Sequence, residues 1–140
     1  MDRRHFIRFG LVGIGAGIVA PQITLAAAKA NVAGGIYYTK DAPGRWSKKV
    51  SGHLPHLQLQ KNGANAIIEV ATGHEMKGYE HYIVKHILLD KDFKFIAEHM
   101  FIPNKDKQAL SKFTVTGYTG PLHALSVCNK HDTWLNTIEV

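Results

Sequence analysis

The chain contains a single cysteine, Cys128, among its 140 residues. One cysteine cannot form a disulfide within the chain, and it cannot build a metal cluster that needs four thiolates. An unpaired thiol is open to oxidation in an oxidising compartment, so ligation by a metal would give it a reason to be present. The alternative is a buried and inert thiol.

Long apolar runs, basic runs and aromatic ladders are also missing. The weakly apolar stretch at residues 9–20 is diluted by glycines and is too short to span a bilayer comfortably. No basic run or aromatic ladder points to nucleic acid. Internal repeats and low-complexity segments are absent from the sequence. We therefore expect no nucleic-acid partner, and no membrane attachment once a leader has been removed.

The N-terminus has the features of an export signal. Residues 3–8 (RRHFIR) form a twin-arginine region, and residues 25–28 (LAAA) offer the small side chains that a signal peptidase prefers. We expect residues 1–28 to be a twin-arginine signal peptide, cleaved after Ala28 or Ala30, and the mature protein to be periplasmic. That pathway exports folded proteins, often with cofactors loaded, which fits a metal site assembled before export. A membrane anchor is the alternative.

The rest of the chain is long enough for one domain with one modest core. Residues 29–45 are rich in glycine, alanine and turn residues and are predicted to be an N-terminal arm or linker; residues 46–140 form the predicted domain. The mild positive charge suits solubility, and it would also help a small anionic substrate to approach.

Residues 46–140 have the pattern of strands. Turn signals such as Asn62-Gly63 and Gly120-Pro121 separate short alternating or β-prone segments. The segments are 57–60, 65–70, 82–89, 93–101, 112–118, 122–127 and 134–140. Short strands at this spacing, without long 3.6-residue periodicity, predict an all-β protein: an antiparallel β-sandwich of about seven strands.

A thiolate and an imidazole stand close together near the C-terminus, in CNKH at residues 128–131. This pairing suits iron, copper or zinc. Further histidines lie upstream in GHLP and HEMKGYEHYI, and all these residues fall where loops are expected, so loops from one end of a sandwich could converge on one metal. The candidate metal ligands are His53, His74, His81, Cys128 and His131.

This set, in this order, resembles the superoxide reductases, the neelaredoxin and desulfoferrodoxin family. Members read Lys-His-Val-Pro, then His-Pro-x-x-x-x-His-Tyr/His-Ile, then Cys-Asn-x-His-Gly-x-Trp. The likeness runs from about Gly44 to the last residue and includes residues 124–126 (ALS) and Trp134. It implies an immunoglobulin-like β-sandwich. The four-cysteine rubredoxin-like domain of larger members cannot be built here, so it implies the one-iron type.

The resemblance also implies a reaction, the one-electron reduction of superoxide to hydrogen peroxide. One iron per chain would be held by the four imidazoles and the thiolate, with the sixth position open to superoxide. An unidentified electron donor would re-reduce the ferric iron, and self-association into a homo-oligomer is left open. Backbone hydrogen bonds from Asn129 and its neighbours to the sulfur would tune its electron donation.

The spacing of the middle histidines departs from the family pattern. They usually stand six apart, whereas His74 and His81 stand seven apart. The extra residue falls in a loop that Gly78 would make easier to accommodate. His56 and His86 are the alternatives to His74, although neither stands at a matching position.

A second departure concerns the residues before the first histidine. Many members have Glu-Lys there, where the lysine attracts superoxide and the glutamate caps the oxidised iron; this chain has Ser51 and Gly52. We therefore expect water, hydroxide or no ligand from this loop in the ferric state. Lys48 and Lys49 are the candidate catalytic residues, because they could bring a positive charge to the open position. The alternative is two solvated loop lysines.

Other residues are expected to have structural roles, with Trp134 packing near the cysteine loop and the remaining histidines at the surface or in the core: His56, His86, His99 and His123. An alternative function is a non-enzymatic iron-binding or electron-transfer protein that keeps the site. A structural zinc domain is disfavoured, because closed zinc sites generally use four ligands.

Overall fold

The computed structural model describes residues 32–140. The predicted signal peptide, residues 1–28, and the first residues of the predicted arm lie outside the described residues. Within residues 32–140, no helix has both the length and the apolar character needed to cross a membrane.

Seven strands make up the described domain, and every pairing between them is antiparallel. They form a three-stranded sheet in the order β1-β2-β5 and a four-stranded sheet in the order β4-β3-β6-β7. The strands are β1 His56–Asn62, β2 Asn65–Thr72, β3 Ile83–Leu89, β4 Phe95–Met100, β5 Ala109–Thr116, β6 Pro121–Cys128 and β7 Thr133–Glu139. The predicted seven-stranded antiparallel sandwich is confirmed.

Alternation of apolar and polar residues explains which face each strand buries. Strand β5 alternates buried and exposed residues along its whole length. It begins at Ala109, earlier than the predicted residue 112. The prediction missed its first residues because their burial is opposite to their hydropathy: Leu110 is 41% exposed whereas Ser111 is 4% exposed. A buried serine and an exposed leucine hide the strand from a hydropathy pattern.

The two ends of the sandwich differ in their connections. Short turns at residues 63–64, 90–94 and 117–120 lie at one end, called here the far end. The longer connections 73–82, 101–108 and 129–132, with the segment before β1, lie at the other end, called the site end.

The segment before β1 has short elements of its own. It contains a 3₁₀ turn at Gly44–Trp46 and one short helix, α1, at Val50–His53. Ahead of these, the Tyr38 amide donates to the carbonyl of Thr133, and the Leu135 amide donates to the carbonyl of Tyr38, which adds the arm to the edge of β7. Tyr38 is 3% exposed and packs on Trp134 with ring centroids 5.6 Å apart.

Candidate metal centre

The site end brings the five predicted ligands together. Their donor atoms all lie within 4.8 Å of one another. His74 and His81 come from the β2–β3 connection and His131 from the β6–β7 connection, as expected of loops. The other two stand on regular structure: His53 is the last residue of α1 and Cys128 the last residue of β6. Rigid elements therefore hold these two donors.

The four histidines present one ring nitrogen each to a common point. His131 Nδ1 lies 3.0 Å from His53 Nε2 and 3.1 Å from His81 Nε2, and His81 Nε2 lies 3.0 Å from His74 Nε2. Cys128 Sγ lies 3.6 Å from His131 Nδ1 and 3.8 Å from His74 Nε2. His131 thus points its Nδ1 inward, whereas the other three point their Nε2.

Hydrogen bonding alone does not account for this convergence. A ring nitrogen has one proton or one lone pair in the plane of the ring, so it cannot serve two nitrogen partners at once. His131 Nδ1 and His81 Nε2 nevertheless each face two others. Four nitrogens and one sulfur directed at one point fit a bound metal ion.

The spacing also distinguishes between coordination geometries. With metal–nitrogen bonds of about 2.1 Å, two nitrogens lie about 3.0 Å apart at a right angle and about 3.4 Å apart at a tetrahedral angle. The separations of 3.0 to 3.1 Å between neighbouring nitrogens match the right angle. The donor set therefore fits a square of four nitrogens better than a tetrahedral zinc site.

The outward ring nitrogens of two histidines have hydrogen-bond partners that orient the rings. His53 Nδ1 lies 2.9 Å from the carbonyl of Lys49, to which it can only donate, and this leaves a lone pair on the inward Nε2. His74 Nδ1 likewise faces the carbonyl of Glu75. The carboxylate of Glu75 lies 3.9 Å from His81 Nδ1. The backbone of Glu75 thus supports His74, and its carboxylate places a negative charge near His81 without a hydrogen bond.

The surroundings favour the neutral imidazoles that bind metals. Burial lowers the pKa of His53 to about 4. Burial also lowers the pKa of His81 and of His131, with the neighbouring histidines and nearby lysines acting in the same direction. Because metal ions compete with protons for these nitrogens, a lowered pKa helps binding at neutral pH.

The cysteine loop is held by its backbone. The Lys130 amide donates to Cys128 Sγ at 3.4 Å, which is the kind of bond predicted for the sulfur. The Asn129 amide donates instead to the carbonyl of Tyr82, and the Asn129 side chain accepts from the Tyr82 amide and donates to the carbonyl of Glu80. Asn129 therefore joins the cysteine loop to the loop that carries His81.

Asp132 is a site residue that the sequence did not reveal. It has φ 63°, and it stands where the family pattern has glycine. Asp is among the non-glycine residues that tolerate this conformation best. Its carboxylate accepts from Arg45 Nη2 at 2.6 Å and from Trp46 Nε1 at 2.8 Å. Trp46 in turn packs edge-on against His131, with ring centroids 4.7 Å apart.

The lysines around the site are all exposed. Lys49 supplies the carbonyl that orients His53, and its charge contributes to the lowered pKa of His131. Lys130, which the sequence reasoning passed over, contributes to the lowered pKa of both His81 and His131. Its position between Cys128 and His131 in CNKH was the available signal. The catalytic role of Lys48 and Lys49 stays a prediction.

The other histidines lie outside the donor set. His56 and His99 are exposed on β1 and β4, and His123 stacks on Phe93 with ring centroids 4.3 Å apart. His86 is fully buried with both ring nitrogens hydrogen-bonded. Neither alternative to His74 takes its place. Trp134 lies beside the cysteine loop as predicted, and its indole N–H donates to the carbonyl of His131.

Comparison with known proteins finds similarity in structure but not in sequence. No protein-family model matches the chain, and no curated protein matches it. Solved structures do match. The superoxide reductase (neelaredoxin) from Ignicoccus hospitalis is 24% identical with a TM-score of 0.63, over 76% of this chain and 95% of that one.

Two further solved structures lead to the same fold. The superoxide reductase (neelaredoxin) from Archaeoglobus fulgidus in the reduced form is 20% identical, with a TM-score of 0.59, over 75% of this chain and 98% of that one. The superoxide reductase from Nanoarchaeum equitans is 22% identical, with a TM-score of 0.56, over 64% of this chain and 94% of that one. The chain therefore has the fold of the superoxide reductases, and it presents a four-histidine, one-cysteine donor set on that fold.

Proposed function

We propose that this protein is a superoxide reductase, an oxidoreductase that converts superoxide to hydrogen peroxide with one electron from a single iron and two protons from the surrounding water. The observation that carries the proposal is the convergence of four imidazole nitrogens and one thiolate within 4.8 Å, on a sandwich shared with superoxide reductases. Iron in this donor set would supply a one-electron couple between its ferrous and ferric states and a position for a small anion.

The donor set supports iron over zinc. Closed zinc sites use four ligands in a tetrahedron. Here five donors converge, and the nitrogens are spaced for right angles. An iron held by these five residues would keep one position for a small anion.

The protein's own groups perform three tasks in this proposal. Cys128, 4% exposed, is kept away from water, and the Lys130 amide donates to its sulfur. The backbone carbonyls of Lys49 and Glu75 fix the ring orientations of His53 and His74. The exposed lysines at residues 48, 49 and 130 give an anion a favourable field on approach.

A second function is favoured by one observation. Ser51 and Gly52 stand where many family members have Glu-Lys. A site without that pair could hold iron and pass electrons while reacting poorly with superoxide. The iron-binding or electron-transfer alternative therefore predicts a loaded centre with a slow superoxide reaction, and stopped-flow mixing with superoxide separates the two functions.

The test uses the full chain expressed with ample iron. We expect about one iron per chain, a thiolate-to-ferric charge-transfer band in the visible spectrum when oxidised, and fast consumption of superoxide by the reduced form. Cys128→Ser should remove the band and slow the reaction. His56→Ala is the matched control, because His56 is exposed and outside the donor set.

Several results would contradict this assignment. Zinc alone after iron-replete expression would exclude the iron centre. An unchanged band in Cys128→Ser, or loss of iron in His56→Ala, would show that the ligands are wrongly assigned. The periplasmic location, the electron donor and self-association stay predictions from the sequence.

A further inference from the structure

The interior of the sandwich changes from apolar to polar just before the metal centre. Along β6 the residues that alternate onto the inner face are Leu122, Ala124, Ser126 and Cys128. Strand β2 changes in the same way at Thr72, and β5 carries Ser111 between the apolar residues Ala109 and Phe113. The polar residues at this level form what we call the buried polar cluster: Thr72 of β2, His86 of β3, Ser111 of β5 and Ser126 of β6.

Hydrogen bonds connect the members of the buried polar cluster. Thr72 Oγ1 lies 2.8 Å from His86 Nε2 and 2.8 Å from Ser126 Oγ, and His86 Nδ1 lies 2.8 Å from Ser111 Oγ. A neutral imidazole satisfies both ring nitrogens here by donating from one and accepting at the other. Among the described residues, no buried side-chain nitrogen or oxygen lacks a partner.

Each of the three hydrogen bonds joins one sheet to the other. Thr72 and Ser111 belong to the three-stranded sheet, whereas His86 and Ser126 belong to the four-stranded sheet. Apolar contacts between sheets are non-directional, so they permit small sliding movements at little cost. A satisfied hydrogen-bond network is directional and makes the local arrangement unique. At this level the separation of the sheets is therefore set by bonds of fixed length.

The position of the cluster connects it to the metal centre. Thr72 precedes the ligand His74 by two residues, and Ser126 precedes the ligand Cys128 by two residues. His74 follows β2 of the three-stranded sheet, Cys128 ends β6 of the four-stranded sheet, and His74 Nε2 lies 3.8 Å from Cys128 Sγ. The Thr72–Ser126 bond thus ties the two strands together directly behind the two donors.

Stability alone gives a weak reason for four polar side chains in this place. Hydroxyls and an imidazole lose hydration on burial, so their hydrogen bonds add little net free energy, and replacing all four residues together by apolar ones of similar volume would serve the core about as well. Precise placement of attached groups is the function that directional bonds can supply and apolar packing cannot.

We propose that the buried polar cluster is a positioning device for the metal centre, in which the bonds between the sheets fix His74 relative to Cys128. This inference rests on the metal site of the proposed function and not on the reaction with superoxide. Its members are positioning residues, because none of them belongs to the donor set.

The test compares Co²⁺ binding by the metal-free full chain and three variants, followed through the thiolate-to-cobalt absorption band. Thr72→Val keeps the shape of the side chain and removes the hydroxyl, and Thr72→Ser restores the hydroxyl. Leu122→Ala is the control. Leu122 is 0% exposed in the apolar core, so its truncation lowers stability, but it is not a member of the buried polar cluster. Denaturant unfolding of each metal-free variant measures its loss of stability, which is then compared with its change in Co²⁺ affinity.

We expect Thr72→Val to bind Co²⁺ about tenfold more weakly and with a shifted band, which is the size of effect seen when support behind metal ligands is removed. Thr72→Ser should recover the wild-type affinity and band, and Leu122→Ala should keep both in spite of its lower stability. If Thr72→Val does not fold, Ser126→Ala, which breaks the same bond, takes its place with the same expectation.

Different failures have different meanings. Unchanged affinity and band in Thr72→Val, while the wild type binds Co²⁺ through its thiolate, would overturn the positioning role and leave the centre standing. An equal loss in Leu122→Ala would show that the cluster acts through stability alone, which also overturns the inference. A wild-type protein without a thiolate-to-cobalt band would remove the proposed centre together with its positioning device.

Discussion

The far half and the site half of the sandwich interior are built on the same strands by different physical means. In the far half, Ile68, Val70 and Phe113 pack into the larger apolar cluster, where the hydrophobic effect supplies stability without demanding exact positions. In the site half the apolar cluster is smaller, with Ile83, Phe101 and Ala109 around Cys128, and hydrogen bonds among Thr72, Ser111 and their partners lie beside it. One strand can therefore contribute stability at one end and precise placement at the other.

A large truncation in the far half should separate these contributions most clearly. Ile68 is 0% exposed, so Ile68→Ala leaves a cavity and should lower the free energy of unfolding by about 2–5 kcal/mol. Denaturant unfolding of the metal-free protein measures this loss. The metal affinity of the folded variant should stay that of the wild type, because Ile68 lies away from the donor set.

The two halves are not independent if that expectation fails. Suppose that Ile68→Ala, under conditions where it is fully folded, binds metal as weakly as a variant that lacks a ligand. Core packing would then also position the centre. A change in unfolding well below 2 kcal/mol would instead show that the far half can collapse around the cavity.

Acid should weaken the site half more than the far half. Burial lowers the pKa of His86 to about 4, with His99 adding to the shift, whereas an unfolded histidine titrates near 6.5. The unfolded chain therefore takes up a proton at a higher pH than the folded one. The contribution of neutral His86 is present above about pH 6.5 and is lost as the pH falls towards 4, amounting to about 3 kcal/mol.

The pH dependence of unfolding, measured with metal-free wild type and His86→Leu, checks this expectation. His53 has a similarly lowered pKa, but it is present in both proteins, so its contribution cancels in the difference. His86→Leu should be less stable at pH 7 and should lose less stability between pH 6.5 and 4. Parallel curves for the two proteins would mean that His86 is not held neutral by its surroundings.

The sequence predicted the far half and the donor set better than the structure around the donors. Alternation in β1, β-prone residues in β2 and the turn at Asn62-Gly63 are local signals, and they placed the two strands within two residues of their observed ends. The ligands followed from the order of short motifs. Local signals of this kind suffice wherever a residue's role depends on its immediate neighbours in the chain.

The remaining features depend on contacts between distant residues. The bond from Arg45 to Asp132 joins positions 87 residues apart, and the bond from Thr72 to Ser126 joins positions 54 apart. A serine in a sequence indicates a turn or an exposed position as readily as a buried one. Only the register of the sheets shows that Ser111 and Ser126 point inward and meet His86 and Thr72.

The smallest expected effect is on the rate of reaction with superoxide, when exposed lysines are removed from the site end or from the far end of the sandwich. If Lys48, Lys49 and Lys130 attract an anionic substrate, Lys130→Ala and the Lys48→Ala/Lys49→Ala double variant should each react with superoxide about three- to tenfold more slowly. Iron content and spectrum should not change. Lys61→Ala is the matched control, because Lys61 is exposed near the far end of β1, where its charge is remote from the site.

Salt distinguishes attraction by charge from a local disturbance of the loops. Fields from exposed charges are screened within about 8–10 Å at ordinary ionic strength, so the wild-type rate should fall as salt is added and the rates of the site-end variants should fall less. Lys61→Ala should follow the wild type. Equal rates and equal salt dependence in all four proteins would assign the lysines to solvation alone, and attraction would then come from the metal's own charge.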